Sequence, residues 1–292
     1  METPFYQVDV FSDKLFGGNP LAVFMKGENF KEEQLQQVAR EMNLSETTFI
    51  SPPSNPNASF DVRIFTPTKE IPFAGHPTLG TAFVIKYSGL IPSTKNHLIL
   101  NFKSGLIAVH FQDNGLILMK TPTGKILQTI SNTKEVAASL GLKEIDIEPT
   151  LPIQTVTTGF PALLVPIKTL DAIKDILLDL SLLGPLLKQG KAEMIYPFTR
   201  QTLDQNNSIH ARGFAPFIGI PEDPGTGSVG SALGYYLYEK RPKEKNIIIE
   251  QGYEMKRPSN IFVEIDSAQG KDTEIRVGGR VRLVFKASLY LE

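Results

Sequence analysis

The chain contains no cysteine and no tryptophan. Without a thiol there is no disulfide framework, no thiolate nucleophile, no zinc–thiolate site and no iron–sulfur cluster. The missing disulfides fit a reducing compartment. The aromatic load falls on 18 Phe and 8 Tyr. An excess of one charge is also missing: 30 Lys and Arg against 31 Asp and Glu leave a formal net charge of −1. Whole-molecule electrostatics therefore gives no reason to expect nucleic acid or an acidic membrane as a partner. No stretch approaches the ~18 continuous apolar residues of a membrane span. The greasiest segment, 177–187, is interrupted by Asp179, Ser181, Gly184 and Pro185. The opening residues show neither the basic nor the apolar region of a signal peptide. These absences lead to the expectation of a soluble cytoplasmic protein.

A length of 292 residues suggests two domains at roughly 150 residues each. Strand-length apolar or alternating runs occur at 5–11, 21–25, 48–51, 59–65, 97–102, 106–111 and 116–120. In the second half they occur at 153–156, 162–166, 192–196, 247–250, 261–265 and 281–285. Asp113-Asn114-Gly115 between two runs predicts a hairpin with a type I′ turn. Leu35, Val38, Ala39 and Met42 share one face of a helix over 30–43, with Asn29 and Glu32 as its capping box. Further helices are expected at 133–140, capped by Asn132 and stopped by Gly141, and at 170–180. Two more fall at 77–88 and 227–238. Many antiparallel strands with few helices give an α+β fold class. The joint falls near 120–128. The expected domains are 1–122, which the last strand at about 280–292 is a candidate to complete, and 123–279.

The chain also repeats itself. Arg63-Ile64-Phe65-Thr66-Pro67 and Arg212-Gly213-Phe214-Ala215-Pro216 both read R-x-F-x-P. Shortly after each comes G-x-x-[TS]-x-G-[TS]-A, starting at Gly75 and again at Gly225. This order implies a duplicated domain, with a cleft between the halves as the place for a ligand. Each Gly-rich turn opens a helix, where unpaired N–H groups and the positive dipole end favour an anion. One such turn is also what an ordinary helix start with small packing residues looks like; a pair of them favours the grip on a carboxylate. No Lys follows in P-loop position.

Taken in order, these pieces resemble the phenazine-biosynthesis PhzF-like family, which shares the diaminopimelate epimerase fold. The resemblance runs through Pro4-Phe5-Tyr6-Gln7-Val8-Asp9-Val10-Phe11, Gly18-Asn19-Pro20-Leu21-Ala22-Val23 and Ser45-Glu46-Thr47-Thr48-Phe49. It continues in Glu70-Ile71-Pro72-Phe73-Ala74-Gly75-His76-Pro77-Thr78, Glu222-Asp223-Pro224-Gly225-Thr226-Gly227-Ser228, Gln251-Gly252 and Arg257-Pro258-Ser259. It implies two similar domains, each a strand-rich barrel-like sheet around a central helix, a homodimer, no cofactor, and an isomerase acting on a small carboxylate-bearing molecule. Lys256 departs from the family's usual Gly, and Gly225 from its common Ala.

By resemblance Glu46 is the general acid/base, taking a proton from one carbon and returning it to another. His76, inside the first turn, can donate to a substrate carboxylate or relay a proton. By resemblance Asp223 pairs with a substrate amino or hydroxyl group. Ser228 offers a hydroxyl, Gly75 and Gly227 offer backbone N–H groups, and Gly225 and Thr226 complete the second turn. Asn19 is a weaker candidate. His97, His110 and His210 show no metal-ligand spacing and read as strand surface. Two alternatives stand beside the single-Glu isomerase. A two-base racemase on this fold would need thiols before the turns, where Ala74 and Pro224 stand. A binding or scaffold protein would have kept the fold without the chemistry.

Overall fold

The computed structural model describes residues 2–242, 244–266 and 273–291. Two compact units divide the chain: 1–120 together with 278–292, and 121–277. The first unit runs β1 (Glu2–Val10), β2 (Asn19–Phe24), α1 (Glu32–Met42), β3 (Glu46–Ser51), β4 (Phe60–Phe65), β5 (Glu70–Ile71), α2 (Gly75–Tyr87), β6 (His97–Phe102), β7 (Gly105–Phe111) and β8 (Ile117–Lys120). The second runs β9 (Lys125–Ile130), α3 (Thr133–Ser139), β10 (Ile153–Thr157), β11 (Ala162–Pro166), α4 (Leu170–Lys174), α5 (Leu180–Gly190), β12 (Met194–Thr199), β13 (Ile209–Ala211), β14 (Gly213–Ala215), β15 (Ile220–Asp223), α6 (Gly227–Lys240), β16 (Asn246–Gln251) and β17 (Ser259–Asp266). β18 (Glu274–Gly279) follows, and β19 (Val281–Tyr290) then pairs antiparallel with β1, from Glu2↔Tyr290 to Val10↔Val281. The fold is mixed α/β and rich in strands.

Strand pairing follows the same order in both units. In the first, β1/β2 are antiparallel, β2/β3 parallel, β3/β4 antiparallel, β4/β6 parallel and β6/β7 antiparallel. In the second, β10/β11 are antiparallel, β11/β12 parallel, β12/β13 antiparallel, β13/β16 parallel and β16/β17 antiparallel.

Strand alternation sorts the first unit's side chains. Val8, Val10 and Leu21 face α2, while Phe24, Phe49 and Phe65 join Phe5, Phe30 and Leu35 beneath α1. That second cluster is built from stacked and edge-on Phe rings, with Phe5 and Phe24 centroids 4.6 Å apart. α2 is buried on nearly every side and packs on β1, β2, β3, β7, β8 and β19. Gly80 makes that approach possible: a Cβ there would sit 2.6 Å from Leu21 Cδ2. α6 is the second unit's counterpart, buried against β10, β11 and β17.

Several expectations are corrected. The helix over 170–180 is two: α4 stops at Lys174, and α5 starts at Leu180 with Asp179 accepting from the Ser181 and Leu182 amides. Pro185 lies inside α5. α1 begins after Lys31, whose amide is met by Gln34 Oε1 at 2.8 Å, so Asn29 is not its cap. The 113–115 turn has positive φ only at Gly115, with its amide on Gln112 O at 3.0 Å. It is therefore a type I turn with a glycine bulge, not a type I′ turn. Residues 125–128, read as part of the joint, belong to β9, which pairs with β10. Among the described residues no helix is long and apolar enough to cross a membrane.

Candidate active site

Glu46 is the first residue of β3 and is buried, 8% exposed. By strand alternation Glu46 and Thr48 share the face toward α2. Two strand residues advance about 6.6 Å and five helix residues about 7.5 Å. The strand and helix therefore stay in step: Thr48 meets Thr81 hydroxyl to hydroxyl at 2.8 Å, and Glu46 meets His76. Glu46 Oε2 lies 3.3 Å from His76 Nε2. His76 is the second residue of α2 and 6% exposed. Burial holds its pKa down at about 3, so the imidazole is neutral. Among the described residues His76 Nε2 has no aligned hydrogen-bond partner. Asn19, fully buried at the start of β2, accepts from the Ser45 hydroxyl at 3.2 Å and so steadies the residue before Glu46.

The second turn is built differently. Asp223 ends β15 and is buried. Thr226 precedes α6, and its hydroxyl donates to Asp223 Oδ2. Gly225 lies between them, and Gly227 is the first residue of α6. The Ser228 carbonyl accepts from the hydroxyls of Thr158 at 2.9 Å and Ser231 at 2.8 Å. Gln251, at the end of β16, joins Asp223, Thr226 and Tyr196. The sequence reading assigned no role to Gln251 or Tyr196. Their link to Asp223 crosses several strands, and no local pattern announces it.

The R-x-F repeat proves to be scaffolding. Arg63 lies 5.0 Å over the Phe65 ring and binds both oxygens of Glu70 on β5, at 2.8 and 2.7 Å. Arg212 lies 4.8 Å over Phe214 and binds both oxygens of Glu222 on β15, at 2.9 and 2.9 Å. Each Arg thus pins the short strand that leads into its Gly turn.

His210 corrects the reading of surface histidines. His97 and His110 are exposed cross-strand partners, but His210 is fully buried. Its Nδ1 lies 2.7 Å from Glu250 and its Nε2 3.0 Å from Glu254. A ring with a carboxylate at each nitrogen needs both protons. Burial pulls its pKa down, but the bonds to Glu250 and Glu254 outweigh burial and raise it. Glu250 lies 40 residues away on β16 and Glu254 44 residues away, so no local spacing announces the contact.

The same order of motifs defines a known protein family. The profile described as phenazine biosynthesis-like protein, PhzC-PhzF, matches residues 8–287. The chain belongs to this family. A PhzF-family phenazine biosynthesis protein from Bacillus anthracis is similar in structure, with a TM-score of 0.91 and 26% identity over 100% of both chains. Trans-2,3-dihydro-3-hydroxyanthranilate isomerase from Pseudomonas aeruginosa is 32% identical over 97% of this chain and 98% of its own. Antisense-enhancing sequence 1 from Schizosaccharomyces pombe is 31% identical over 99% of each. The chain is an isomerase of the PhzF family. Lys256 sits at φ 58°, in the left-handed region that Gly occupies without cost.

Proposed function

We propose that this PhzF-family protein is a cofactor-independent isomerase that moves a proton on a small carboxylate-bearing molecule, with Glu46 as its single general acid/base. The observation that carries the reading is the buried pair at the start of α2, with Glu46 Oε2 and His76 Nε2 3.3 Å apart. A carboxylate at the end of a strand, fixed by the alternation that also aligns Thr48, can take a proton from one carbon and return it to another. The neutral His76 beside it can donate to or accept from the reacting molecule without changing the net charge. The unpaired amides of the first turn of α2, at Gly75 and His76, suit a substrate carboxylate. In the second unit Asp223 accepts from a ligand amino or hydroxyl group, and Gly225, Thr226, Gly227 and Ser228 form the turn that borders it. A two-base reading finds no proton carrier at Ala74 or Pro224.

The pairing order supports a further reading, that the two units arose by duplication, each with its sheet folded about a central helix. The resemblance adds a homodimer, which sedimentation would test.

The direct test uses trans-2,3-dihydro-3-hydroxyanthranilate in D₂O, followed by NMR. Isomerisation with deuterium at the carbon that gains the proton is expected. Glu46→Gln should lower the rate by about 10²–10⁴-fold with an unchanged melting temperature. Wild-type activity in that variant would remove Glu46 from its role. An unaltered compound with wild-type protein would exclude this substrate.

A further inference from the structure

We propose that Gln251 is the positioning residue of the Asp223 carboxylate, acting through Thr226. The inference rests on the reading that Asp223 accepts a hydrogen bond from the substrate, and it assigns what holds Asp223 ready to do so.

The argument is one of donors and acceptors. Gln251 is fully buried. Its Oε1 accepts from the Tyr196 hydroxyl at 2.7 Å and from the Thr226 amide at 3.1 Å. Its Nε2 donates to the Asp223 carbonyl at 2.6 Å and to Thr226 Oγ1 at 3.0 Å. All four bonds a side-chain amide can make are made. The orientation is fixed as well. A backbone N–H only donates and a backbone carbonyl only accepts, so the amide cannot be turned over. Since Thr226 Oγ1 receives a proton from Gln251, its own proton points to Asp223 Oδ2. Protons therefore run one way, from Gln251 to Thr226 to Asp223, and the carboxylate is set as an acceptor. Tyr196 stays protonated and able to donate: burial and then the charge of Asp223 both raise its pKa.

The surroundings leave no slack. A Cβ on Gly213 would lie 3.1 Å from Gln251 Nε2 and 3.2 Å from Thr226 Oγ1. This accounts for Gly in the second R-x-F motif where the first has Ile64. The first unit shows what stands there without a carboxylate to hold. Asp223 stands two residues before Gly225 and Gln251 ends β16; in the first unit Phe73 stands two residues before Gly75 and Phe102 ends β6. Those two rings meet edge-on with centroids 5.9 Å apart. One copy of the motif carries an apolar contact, and the other a saturated polar hub.

The test reads Asp223 itself. Protein carrying ¹³Cγ-labelled aspartate, with the Asp223 signal identified through Asp223→Asn, is titrated by NMR. Thr226→Val and Gln251→Met should each weaken the hold on the carboxylate and raise its proton affinity about tenfold. Thr226→Ser, which keeps the hydroxyl, should titrate as wild type. Melting curves report whether each variant is folded. An unmoved Asp223 signal in folded Thr226→Val overturns the proposal. So does a Gln251→Met variant that is folded and titrates as wild type, or a Thr226→Ser variant that shifts like Val. If Gln251→Met fails to fold, the Val and Ser variants decide. No substrate enters this experiment, so failure of the isomerase assay leaves it unaffected, and its own failure leaves Glu46 in place.

Discussion

Two buried histidines in this chain titrate in opposite senses. His76 has a folded pKa of about 3, below its unfolded value. The unfolded chain then binds more protons between about pH 3 and 6.5, so stability falls on acidification through that window. His210 has a raised pKa, so the folded chain holds the extra proton. Its contribution is complete below the unfolded pKa and is lost as pH rises through the folded one. Urea melts across the pH range should therefore show a shallower acid limb in His76→Asn and a shallower alkaline limb in His210→Gln. Lys256 makes a different prediction. Replacing it by Gly should stabilise the protein by about 1 kcal/mol, the order of the left-handed penalty, read as a higher denaturation midpoint at unchanged slope.

At the scale of elements, α2 sets the position of His76 beside Glu46, and the room around the helix is set by Gly80. Gly80→Val should cost about 1–3 kcal/mol through overpacking against Leu21 and Val10, measured by thermal or urea unfolding. The central helices were legible in the sequence because small residues and apolar residues cover all their sides. Motif resemblance singled out Glu46 and Asp223, and the first Gly turn singled out His76; Glu46 and His76 meet in the fold. What stayed hidden is long-range. The Gln251 hub joins residues from β12, β15 and β16, and the His210 brace joins strand to turn. Neither has a spacing that a linear reading could register. The break between α4 and α5 was missed because the apolar period continues through 173–180, while the cap at Asp179 restarts the helix.

The units share a pairing order yet differ in content. The first holds a carboxylate and a neutral imidazole at its Gly turn, the second a carboxylate held by neutral amide and hydroxyl groups. A proline at Ala287, which pairs with Phe5, removes an amide from the β1–β19 ladder. Hydrogen exchange should then rise across residues 2–24 and 281–290, while β12, β16 and β17 keep their protection. Uniform loss across both units would mean that they unfold as one.

The partnership of β1 with β19 has a consequence for the order of events during synthesis. β1 is made before the whole second unit, and its partner β19 emerges after it. At ~5–20 residues per second the edge of β1 waits on the order of 15–55 s with its hydrogen-bonding groups unmatched on that side. The second unit, contiguous in the chain from 121 to 277, has all its strands before β19 appears. The half that carries Glu46 is thus the half completed last. The β1–β19 ladder of the unit that holds Glu46 and His76 forms only after the second unit has been made, and a product truncated before β19 would carry the Asp223 hub with β1 unmatched on that side.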